Sequence, residues 1–71
     1  MENKIIIHEK EFFKMKTIQY SGKTYVEYRN IKERKSKFFE WQDEMLLEIE
    51  NKEILKKILE ENYNVGSDMI D

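Results

Sequence analysis

The sequence predicts an α+β fold, a small antiparallel β-sheet of two or three strands followed by one long or broken amphipathic helix. Two runs rich in Thr, Tyr, Val, Ile and Phe flank Ser21-Gly22, which is the signature of a hairpin. From Ser36 onward the apolar spacing changes to a helical period. Apolar residues make up only 39% of the 71-residue chain and charged residues another 39%, so the core has little room to be larger than one sheet and one helix.

The hairpin is expected over Phe12 to Ile31. A two-residue turn at Ser21-Gly22 pairs Tyr20 with Lys23, and hence Ile18 with Tyr25, Thr17 with Val26, Lys16 with Glu27, Met15 with Tyr28 and Lys14 with Arg29. In that register Phe13, Met15, Thr17, Val26 and Tyr28 share the face expected to be the core. A lone hairpin is marginal in water, so Lys4 to His8, with its run of three Ile, is the natural third strand, reached through a turn at Glu9 to Glu11.

Ser36 reads as an N-cap. Phe38, Trp41, Gln42, Met45, Leu46 and Ile49 then form a stripe about 160° wide, opposite Glu40, Asp43, Glu44 and Glu48. Lys52 to Tyr63 has its own stripe of Ile54, Leu55, Ile58 and Leu59, which points about 150° away from the first if the helix is continuous. The chain therefore either breaks near Asn51 or runs as a single helix with two buried faces, and the continuous helix is the expectation adopted. In it Leu47, Ile54 and Ile58 line up as a seam for a second helix, which together with the thin apolar content predicts a homodimer.

With no linker, repeat or low-complexity tract, residues 1–71 read as one domain. Residues 1–35 make the hairpin sheet with a basic connector, 36–63 the helical segment, and 64–71 a frayed acidic tail in which Gly66 follows the helix end. There is no Cys, which removes disulfides and thiolate metal sites, and no apolar run approaches the length of a membrane span. The expected setting is the cytoplasm, with no membrane contact.

Charge is polarised along the chain: residues 1–39 carry a net +5 and residues 40–71 a net −7. One His, three dispersed Ser and two Gly offer no catalytic constellation, phosphate loop or metal set, so no enzyme, cofactor or metal is expected. Two binding surfaces are. Glu40, Asp43, Glu44 and Glu48, spaced along one helical face, would follow the basic groove of a protein partner as a phosphate track does. Arg29, Lys32, Arg34, Lys35 and Lys37, joined by Lys14 and Lys16 and by Tyr20 and Tyr25 for stacking, would contact nucleic acid or an acidic surface.

The stretch Gly22-Lys23-Thr24-Tyr25-Val26-Glu27-Tyr28 resembles a strand of the small phage inhibitors of uracil-DNA glycosylase, and the basic block after it departs from them. That resemblance implies a dimeric DNA mimic. Composition, rich in Lys, Ile, Asn and Glu and devoid of Ala, fits an A+T-rich bacterial or phage genome. The expected function is a small interaction protein that binds and inhibits or modulates a larger host protein or nucleoprotein, as an anti-defence or anti-CRISPR inhibitor does. The alternative is a small DNA- or RNA-binding transcriptional regulator using the basic hairpin and connector.

Overall fold

The computed structural model describes residues 1–63, and the expected acidic tail and the Gly66 helix stop lie outside the described residues. Five strands, β1 (Lys4–Ile7), β2 (Lys10–Tyr20), β3 (Lys23–Asn30), β4 (Lys35–Gln42) and β5 (Met45–Glu48), form an antiparallel meander in the order β1-β2-β3-β4-β5, followed by one helix, α1 (Lys52–Asn62). The sheet curls into a half-barrel. This overturns the expected two or three strands with a long helix: residues 36–49 are β4, a tight turn and β5, and among the described residues only the 11 of α1 are helical.

Three of the four links between strands are two-residue turns in which both residues take positive φ: His8-Glu9 (50° and 66°), Ser21-Gly22 (52° and 76°) and Asp43-Glu44 (51° and 63°). Positive φ at both positions gives the backbone twist that continues a right-twisted hairpin. The fourth link, residues 31–34, is closed by the Asn30 side-chain oxygen accepting from the Glu33 amide at 2.8 Å, with Arg34 at φ 58°.

Near its turn the β2–β3 hairpin keeps the expected register, with Tyr20 opposite Lys23, Ile18 opposite Tyr25, Thr17 opposite Val26 and Lys16 opposite Glu27. A bulge at Met15 then shifts it by one residue, so that Lys14 faces Tyr28 and Phe13 faces Arg29. The bulge reverses which side chains of β2 point inward. Phe12 is buried, whereas Phe13 and Met15, expected in the core, are exposed.

Both faces of the central strand are covered, and Tyr25, Val26, Glu27 and Tyr28 are all buried. The concave face holds Phe12, Val26, Tyr28 and Phe39, wrapped by Ile5, Ile7 and Leu46 as the sheet curls on itself. The convex face packs Ile18, Tyr25 and Phe38 against Leu55, Ile58 and Leu59 of α1. Asn51 caps that helix, its side-chain oxygen accepting from the Glu53 amide at 2.9 Å and the Ile54 amide at 3.4 Å.

A buried polar relay ties the helix end to the sheet. The Glu27 carboxylate accepts from the Tyr63 hydroxyl at 2.7 Å and from Ser36 Oγ at 2.6 Å, and Ser36 Oγ accepts from Arg29 Nη1 at 3.1 Å. Tyr63 also stacks edge-on against Phe38 with ring centroids 5.9 Å apart. Burial first, then the hydrogen bond to Glu27 and its charge, push the Tyr63 hydroxyl far above the ordinary tyrosine range.

Candidate nucleic-acid interface

Cross-strand rows assign every strand residue to a face, because partners directly opposite one another point the same way. On the concave side one row runs Lys14, Tyr28, Lys37, and the next carries Asn30 and Lys35. Farther along the same face come Thr17, Val26, Phe39 and Glu48, then Gln19, Thr24, Trp41 and Leu46. The face is thus apolar at its centre and basic at one end, with a half-buried Trp flanked by Thr and Gln at the other.

At the basic end Ile7 and Phe12 floor a cleft of about 230 Å³ whose rim is His8, Lys10, Lys35, Lys37 and Glu33. Lys10 pairs with Glu33, and its hydrogen bond, with the charge of Lys35 nearby, holds the Glu33 carboxyl below the usual carboxylate range. Lys37 Nζ lies 3.2 Å from a Glu48 oxygen. Neither Lys14 nor Lys35 closes a salt bridge among the described residues, although Lys35 lies near enough to Glu33 for its charge to act there. Tyr28 is fully buried below them, donates its hydroxyl to the Glu2 carbonyl at 2.6 Å, and has its acidity suppressed by burial and by the Glu2 charge.

The expected basic set therefore divides. Lys14, Lys35 and Lys37 come together on the concave face, while Lys32 and Arg34 sit in the adjoining β3–β4 turn. Lys16 and Arg29 belong to the convex face: Lys16 Nζ donates to the Asn62 carbonyl at 3.0 Å and lies 4.6 Å above the Tyr63 ring, and Arg29 is held in the Ser36 relay. Tyr20 and Tyr25, expected to stack on bases, face α1 instead, with Tyr25 buried. Lys10 and Trp41 were not expected here. The alternation Lys35, Lys37, Phe39, Trp41 was the available signal, and it reads clearly only once β4 is known to be a strand.

The four carboxylates expected on one helical face do not share one. Glu40 lies on the convex side of β4, 3.8 Å from Lys23 Nζ; Asp43 and Glu44 form the β4–β5 turn; Glu48 lies on the concave side beside Lys37. The helical seam of Leu47, Ile54 and Ile58 is likewise dissolved. Leu47 is a strand residue, Ile58 is fully buried against the sheet, and Ile54 packs on the same core.

No family model, curated protein or solved structure matches the chain. The resemblance of Gly22–Tyr28 to the glycosylase inhibitors stands on those seven residues alone. Among the described residues no helix is long and apolar enough to cross a membrane.

Proposed function

We propose that this protein is a small non-catalytic binding domain that holds single-stranded nucleic acid at the basic end of its concave face. The observation that supports it is the gathering of Lys14, Lys35 and Lys37 from β2 and β4 at that end, with Trp41, Thr17, Gln19 and Thr24 on the same face beyond its buried apolar centre. Cationic side chains that follow a backbone, next to a ring on which a base can stack, are the recurring elements of single-strand recognition. The turn cations Lys32 and Arg34 extend the basic end. The reading expected first from the sequence, an inhibitor or modulator of a larger host protein or nucleoprotein, loses its helical carboxylate face to β4 and β5.

Fluorescence anisotropy with short labelled DNA and RNA strands tests the proposal. Affinity should fall between about 50 and 200 mM salt with a log–log slope of about −0.7 per phosphate contact. The double variant Lys14→Glu/Lys35→Glu should lose more than one unit of that slope while keeping its far-UV circular dichroism. Absence of binding at the lowest salt, or equal binding by the variant, overturns the proposal.

A further inference from the structure

The sheet has two open edges, and only one of them suits a second copy of the chain. The Lys14 amide donates to the Asn3 carbonyl at 2.8 Å, so in the antiparallel alternation Asn3, Ile5 and Ile7 turn their backbone groups toward β2. Lys4 and Ile6 turn theirs outward, where no strand pairs with them among the described residues. The Ile6 side chain is 59% exposed on the convex face, next to Phe13 at 37%, beyond the area that α1 covers. An apolar edge strand with free amides and carbonyls is a template for strand addition.

We infer that two copies associate through β1, antiparallel, about a two-fold axis perpendicular to the sheet at Ile6. The axis sets Ile6 against Ile6 of the second copy, with each donating an amide to the other's carbonyl. Ile5 then meets Ile7 of the second copy on the concave side. Such an axis keeps equivalent faces together and makes the interface isologous. Lys4 falls opposite His8 rather than opposite its own copy, the positive-φ turn at His8-Glu9 limits the ladder to the residues before it, and assembly stops at two chains because each copy's β1 edge is taken up by the other.

The other edge, β5, works against this pairing. The Ile49 amide donates to the Phe38 carbonyl at 2.9 Å, so Leu46 and Glu48 carry the outward backbone groups. Every two-fold register there places Glu48 opposite or diagonal to Glu44 or Glu48 of the second copy, and like charges so placed destabilise strand pairing. The β1 dimer also sets two concave faces side by side on one surface, although it does not depend on what those faces bind.

The natural chain has no Cys, which makes cross-linking site-specific. Opposite residues of a hydrogen-bonded pair lie about 5.5 Å apart at Cα, within the span of a short bismaleimide linker. With that reagent Ile6→Cys should give a covalent dimer, whereas Leu47→Cys on β5 should stay monomeric. Sedimentation velocity should show the unmodified protein associating as its concentration approaches about 100 µM, as a small interface requires. Ile6→Lys, at an exposed position that leaves the fold intact by circular dichroism, should weaken association about tenfold or more by placing two cations on the axis. A monomer at the highest concentration, association untouched by Ile6→Lys, or cross-linking at Leu47 in preference to Ile6, overturns the inference.

Discussion

The hairpins β2–β3 and β4–β5 turn on the same backbone and are written in different residues. Ser21-Gly22 and Asp43-Glu44 both hold two successive positive φ angles, and both join antiparallel strands with no residue to spare. Glycine adopts that conformation without steric cost, and its presence announces the first turn. Glu at φ 63° opposes its own preference, costing about 1 kcal/mol or more. The second turn is imposed by the strands on either side of it. What holds it is the burial of β4, where Phe38 packs beneath α1 and Phe39 fills the concave face.

The largest test of that contrast is to remove each ring in turn. Phe38→Ala and Phe39→Ala should each cost about 3 to 5 kcal/mol in denaturant unfolding, because neighbouring residues of a strand covered on both sides are both in the core. A helix would have faced them only about 100° apart, with the second nearer its solvent edge. Near-equal losses mark the strand. A small loss at Phe39 would restore the helical reading of residues 36–49.

That mistaken reading has a physical origin. Alternation is the mark of a strand with one wet face, and β4 has little wet surface along its middle, so the adjacent Phe38 and Phe39 hide the period of two. Glu40, Glu44 and Glu48 then supplied helix-favouring residues at helical spacing, and nothing in Asp43-Glu44 resembles a glycine turn. The β2–β3 register near Ser21-Gly22, the β1 strand and the helix after Asn51 were legible because each carries its own local signal. The bulge at Met15 carries none, and it decides which lysines share the concave face. For that reason Lys14 was legible as a candidate and its company was not.

The relay at Glu27 separates the hairpins in a second way, since it joins β3 and β4 to the end of α1 and leaves β5 outside. Tyr63→Phe removes one of two side-chain donors to a buried carboxylate and should cost about 1 to 3 kcal/mol. Its effect should depend on pH. The Tyr63 proton is held more tightly in the folded protein than in the unfolded chain, so its contribution is complete below about pH 10 and is lost as pH rises through the unfolded value toward the folded one. Wild-type stability should therefore fall more steeply above about pH 10 than that of Tyr63→Phe, in which Tyr28 remains to titrate. Parallel alkaline limbs would show that the hydroxyl is not held by the relay.

The smallest effects come from exchanging the character of the two turns. A Cβ added at Gly22 meets nothing within 4 Å, so Gly22→Ala isolates the backbone cost of an L-residue at φ 76° and should destabilise by about 1 kcal/mol. Glu44→Gly makes the second turn Asp-Gly, a favoured pair for this geometry, and should stabilise by about 0.5 kcal/mol once the extra freedom of glycine in the unfolded chain is subtracted. Chemical denaturation of both variants beside the parent resolves the two signs. If Glu44→Gly instead destabilises by as much as Gly22→Ala, the Glu44 side chain holds the β4–β5 turn through contacts of its own, and the strands on either side are not what imposes it.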